Sequence, residues 1–130
     1  MAHTKEANIL VIGSGLAGAV AALTAAEENK KVILITGANT LLSGNTKWAQ
    51  GGIAYSQKKE SKVTFQEDIY NAGGYHNHES AVEQLVNKGS QLIEQLLIKK
   101  LKIPFEKDKN NKLCFTSEAA HSVDRIVHCK

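Results

Sequence analysis

Arginine is almost missing from this sequence: of sixteen basic residues, fifteen are Lys and one is Arg125. Nucleic-acid readers use Arg for bidentate contacts to base edges, so that class of partner is not expected. Charge of one sign is scarce too. A formal net charge of +3 implies no obligatory polyanion. Proline occurs once, at Pro104, against ten glycines, which excludes collagen-like chains and Pro-rich linkers. Cysteine occurs twice, at Cys114 and Cys129, too few for a secreted disulfide framework, so a reduced, cytoplasmic chain is expected. Cys114, His121, His128 and Cys129 lack paired ligand spacing, and no metal site is expected. Charge is wholly absent from Ala7 to Ala26. That run is interrupted by Asn8, Ser14, Thr24 and three glycines, so it reads as strand, turn and helix rather than a membrane span or a signal sequence.

What is present is an ordinary globular composition, 42% apolar and 22% charged over 130 residues, enough for one domain or a piece of one. Asn8 to Ile12 and Lys31 to Thr36 read as fully buried parallel strands. Between them Leu16 to about Asn29 reads as an Ala-rich helix, completing a βαβ unit. Gly37 to Gly52 is a long, small-residue loop. Thr64-Phe-Gln-Glu67 and Ser80-Ala-Val-Glu83 match capping boxes for a short helix from about Phe65 to Asn71 and a longer one to Leu97. Gly89 is a candidate kink in the longer helix, and Lys99, Lys100 and Lys102 suit its negative end. Phe105 to Thr116 is expected to form a hairpin turning at Asp108 to Asn111. Two parallel strands cannot bury both faces of a doubly wound sheet. The fold class is therefore α/β, a Rossmann-like βαβ unit followed by helices and a β-hairpin. Residues 1–130 are expected to be the N-terminal part of a longer domain.

Two segments carry chemistry. Gly13-Ser14-Gly15-Leu16-Ala17-Gly18 follows a strand and opens a helix. The glycines permit a tight turn, close approach to a pyrophosphate and close helix-strand packing, while helix-start amides point at phosphate. The acid that binds ribose in nicotinamide enzymes is replaced by Thr36, which argues against a nicotinamide dehydrogenase. The second segment, Ser43 to Ala54, has small side chains that could approach a planar cofactor, or it is a surface loop with one buried Trp48.

Taken with Asn45-Thr46, Ala49-Gln50-Gly51-Gly52-Ile53, Ala72-Gly73, Ile103-Pro-Phe105 and Glu118-Ala-Ala-His-Ser-Val-Asp-Arg-Ile-Val-His128, the chain resembles the flavoprotein family of succinate dehydrogenase and fumarate reductase. Within it, the chain is similar to the L-aspartate oxidases. The resemblance implies FAD. It implies oxidation of L-aspartate to iminoaspartate with dioxygen or fumarate as acceptor, feeding quinolinate and NAD synthesis, with quinolinate synthase a candidate partner. Ser14 to Ala17 would then meet the pyrophosphate, and Asn45, Thr46, Lys47, Trp48, Ala49, Gln50, Gly51 and Gly52 would line the flavin. Asn45 stands where the respiratory enzymes carry a flavin-linked histidine, implying non-covalent FAD. Glu118 would pair with the substrate ammonium, against a bland reading as a solvated acid. Arg125 would grip a carboxylate or carbonyl, or simply tie the hairpin down.

The chain departs from the family pattern at Gly37, where a Lys is usual, at Ser117, where an Arg is usual, and at Ala119-Ala120, where Gly-Gly is usual. The resemblance places the catalytic arginine and capping domain beyond Lys130, so residues 1–130 alone are expected to be inactive. The alternatives are a fumarate reductase or succinate oxidase fragment, and a non-catalytic nucleotide-binding module.

Overall fold

The computed structural model describes residues 4–42, 44–49, 52–57 and 60–129. The chain divides into two compact units, Met1–Gln50 and Gly51–Lys130.

In the first unit, β1 (Ile9–Ile12) pairs in parallel with β2 (Val32–Ile35), in a register that sets Ile9 against Val32 and Ile12 against Ile35. Asn8 extends the ladder from its side chain: Oδ1 accepts the Lys31 amide at 2.8 Å, while the Asn8 amide donates to the Lys31 carbonyl. The crossover is α1 (Leu16–Glu27), which packs on both strands. Its approach depends on Gly18, where a Cβ would overlap the Gly13 carbonyl oxygen. Asn29 turns the chain back with φ 57°, a left-handed conformation that its short amide tolerates.

One expectation fails here. The strands are not fully buried: Leu10 is 57% and Ile12 is 78% exposed. Their unbroken apolar run suits a sheet covered on both faces, but among the described residues of this unit α1 is the only helix against it.

In the second unit, β3 (Ile53–Ala54) pairs antiparallel with β4 (Ile126–Val127). Bridges join Phe105 to Cys129 and Thr116 to Ile126, so β4 has partners on both sides and Val127 is wholly buried. The hairpin turns where the sequence places it. Asp108 Oδ1 accepts the amides of Asn110 and Lys112 at 2.8 and 2.9 Å, and Lys107 bridges Leu113. Cys114 and Cys129 are both free thiols. Two helices supply the core. Phe65 of α2 (Lys62–Ala72) packs with Val82 and Val86 of α3 (Glu79–Leu92), and Ala54, Ile69 and Tyr70 close over them.

Neither capping box forms. The residue before α2 is Ser61, which puts Thr64 inside the first turn. The earlier start lets Lys62 Nζ donate to Asn87 Oδ1 of α3 at 2.9 Å. The residue before α3 is His78, and Ser80 Oγ lies 3.1 Å from its Nδ1. This start places Glu79 at the positive end of the helix dipole. Gly89 lies within α3 without interrupting it. Instead, α3 widens into a π-helical segment, Ile93–Lys100, with the Leu101 amide donating to the Leu96 carbonyl. Among the described residues no helix is long and apolar enough to cross a membrane.

Candidate functional site

The site in the first unit is built where β1 ends. Gly13 has φ 107°, which L side chains rarely adopt, and its amide donates to the Ile35 carbonyl at 2.8 Å. The chain therefore leaves the sheet in a tight turn, and α1 begins one residue after Gly15. Ser14 Oγ donates to the Leu41 carbonyl at 2.8 Å. The 3-10 turn Asn45–Trp48 delivers Thr46, whose Oγ1 accepts the Leu16 amide at 3.0 Å. The two sequence motifs thus meet through one hydroxyl. Gly15 allows the approach, because a Cβ there would stand 3.3 Å from Thr46 Oγ1.

These contacts frame a cavity of about 330 Å³ lined by Ser14, Gly15, Leu41, Leu42, Gly44, Thr46 and Lys47. Such a volume is at the low end for ligand pockets, which run from about 300 to about 1,000 Å³. Its lining is mostly apolar, and what charge it has favours an anion. The walls carry no acid, Lys47 supplies a positive charge, and the first turn of α1 contains no acidic residue. The amides of Ala17 and Gly18 in that turn have no acceptor within the helix by geometry.

The cavity brings together Ser14, Gly15, Thr46 and Lys47 of the residues singled out from sequence. Gly13, Leu16, Ala17 and Gly18 act one step back, as turn and helix start. Thr36, Asn45, Trp48 and Ala49 are not among its lining residues. Trp48 is 72% exposed, so the reading with a buried indole is wrong. Lys47 Nζ lies 5.0 Å from its ring centroid, a cation-π contact that the short turn enforces. Gln50 and Gly51 fall outside the described residues. Gly52 belongs to the second unit, where a Cβ would overlap the Val127 carbonyl oxygen and Ile126 Cγ2. Close packing on β4 explains that glycine without a ligand. Leu41, Leu42 and Gly44 line the cavity but were not expected to. The signal for the leucines is faint: an apolar pair in a loop of small polar residues, both exposed.

In the second unit, Glu118 is half exposed, with Oε1 3.1 Å from His128 Nε2, which also lies 2.9 Å from Thr116 Oγ1. Ala120 holds φ 69°. Arg125 is completely buried and gathers three partners. Its Nε donates to Glu60 Oε1 at 2.8 Å, and its Nη1 donates to Asp68 Oδ2 at 2.5 Å and to His121 Nδ1 at 2.7 Å. Phe65 lies under the guanidinium, 4.6 Å from ring centroid to Cζ. Arg125 therefore ties the terminal strand to α2, the structural one of its two readings. Burial raises the pKa of Asp68, but the Ser122 amide, Arg125 and the Ser122 hydroxyl outweigh it and hold the carboxyl below its ordinary value.

The chain is similar to several known proteins. The chain is 36% identical over 128 residues to the L-aspartate oxidase of Halobacterium salinarum, covering 98% of this chain and 24% of that protein. It is 40% identical over 126 residues to the L-aspartate oxidase of Clostridium perfringens, covering 97% of this chain and 28% of that protein. The chain thus spans about a quarter of the length of these curated relatives. Among solved structures, Mycobacterium smegmatis Sdh1 in complex with UQ1 superposes with a TM-score of 0.83 at 23% identity, over 95% of this chain and 21% of that one. An FrdA variant of E. coli quinol fumarate reductase gives 0.82 at 22% identity, over 93% and 21%. These last two show a shared fold. The sequence model of the FAD binding domain matches residues 8–130, and the chain belongs to that family.

Proposed function

We propose that this chain binds FAD non-covalently and is the N-terminal flavin-binding part of an L-aspartate oxidase. The observation that carries the reading is the acid-free cavity at the start of α1, where Gly15, Thr46 and Lys47 converge. Ser14, Gly15, Leu16, Ala17 and Gly18 hold the pyrophosphate against helix-start amides. Thr36 follows β2, and its hydroxyl bonds the ribose. Asn45, Thr46, Lys47, Trp48 and Ala49 supply a wall for the ring. Asn45 offers an amide, which forms no covalent link to a flavin, so retention rests on contacts alone.

Bound FAD would supply the hydride acceptor for oxidation of L-aspartate to iminoaspartate, with dioxygen or fumarate as the final acceptor. Glu118 gives the substrate ammonium a carboxylate partner, which favours aspartate over succinate. This chain spans about a quarter of the length of its curated relatives, and turnover is proposed for a protein of their full length.

Calorimetric titration with FAD tests the first part. Saturable 1:1 binding is expected, and Lys47→Glu should weaken it about tenfold by placing an acid beside the phosphates. No heat and no flavin retention at saturating concentration would overturn the proposal.

A further inference from the structure

The loop from Ser117 to Arg125 holds Glu118, and its own bonds are mostly local. Ser117 Oγ donates to Asp124 Oδ1, and the His121 amide donates to the Glu118 carbonyl at 3.1 Å. These bonds give the loop a shape but no fixed place. The Thr116–Ile126 bridge closes its ends, and Glu60 Oε1 accepts Arg125 Nε at 2.8 Å. Two further side chains from earlier in the chain hold its interior. Gln57 Nε2 donates to the Asp124 carbonyl at 3.2 Å. Asp68, on α2, does more. Its Oδ2 accepts the Ser122 amide and the Ser122 hydroxyl, each at 2.9 Å, and Arg125 Nη1 at 2.5 Å. One carboxylate oxygen thus holds the loop by its backbone, by a side chain and by its flanking arginine. Charge-assisted bonds of this kind fix geometry as well as adding energy.

Glu118 sits on the other side of the left-handed residue Ala120 from Ser122, with Oε1 against His128. Its carbonyl accepts the amide of His121, the neighbour of Ser122, so the backbone that carries Glu118 is tied to the anchored part of the loop. We propose that Asp68 is a positioning residue for amine recognition: by fixing Ser122 and Arg125 it keeps the Glu118 carboxylate where the substrate's ammonium is received. This rests on the reading of Glu118 given above. Asp68 itself touches no substrate.

The test uses the FAD-loaded protein that carries this chain, with Asp68→Asn, Ser122→Ala and Glu118→Gln compared. For Asp68→Asn the KM for L-aspartate should rise about tenfold with kcat nearly unchanged. The inhibition constant of succinate, which lacks the amine, should stay put. Ser122→Ala keeps the Arg125 pair and folds if Asp68→Asn does not. It should move the KM the same way by about threefold. In the flavin-free protein, hydrogen exchange at the Ser122 amide should quicken in Asp68→Asn, while Val82 and Val86 exchange as before. If Asp68→Asn weakens aspartate and succinate equally, its role is only structural and the proposal falls. It falls also if Asp68→Asn changes neither while Glu118→Gln raises the aspartate KM. If Glu118→Gln leaves that KM untouched, the amine reading of Glu118 is itself wrong, and the positioning role goes with it.

Discussion

Ala120 shows how a single side chain can sit against its backbone. Its φ of 69° is left-handed, a region costing an L-residue roughly 1–2 kcal/mol relative to its right-handed state. Glycine adopts it freely but loses more chain entropy on folding, by about 0.4–1 kcal/mol. Ala120→Gly should therefore stabilise the protein by about 0.5–1 kcal/mol, read as a higher urea midpoint at an unchanged slope. The resemblance already flags Ala119-Ala120 as replacing a Gly pair, so the conformational demand is legible before the structure. The isolation of Arg125 is equally plain in the sequence. Its partners are not, because Glu60 and Asp68 lie far upstream and only the fold brings them to it.

The elements divide by the range of the forces that set them. The βαβ unit reads directly, since β1, α1 and β2 are fixed by local apolar runs and by glycines that the turn requires. Gly18 is the sharpest case. Gly18→Val would force α1 away from the Gly13 turn, and FAD affinity should fall at least about a hundredfold by calorimetry. The Ser/Thr-x-x-Glu patterns mislead because each helix start is chosen by something the pattern omits. At the earlier starts Lys62 bonds Asn87 and Glu79 meets the positive end of the α3 dipole, contacts that the four-residue pattern does not contain. Strand burial misleads for a related reason: an apolar run states what a strand could bury, not which neighbour is there to bury it. The cavity is half legible. Ser14, Gly15, Thr46 and Lys47 follow from motif mechanics, whereas Leu41, Leu42 and Gly44 enter only through the path of a long loop.

At the scale of the whole molecule, acid stability depends on the second unit's clamp. The folded-state pKa of Asp68 is depressed, so its contribution is complete above the unfolded value of about 3.9 and is lost as pH falls through the lower folded value. Urea midpoints should be level from about pH 7 to about pH 5 and drop below about pH 4, with a shallower drop in Asp68→Asn. An equal acid slope in both proteins would contradict this. The division into two units has a spectroscopic corollary. The only indole, Trp48, lies in Met1–Gln50, and all three phenols, Tyr55, Tyr70 and Tyr75, lie in Gly51–Lys130. Each half carries its own chromophore, so one unlabelled sample followed at two wavelengths reports whether the halves melt together or one at a time.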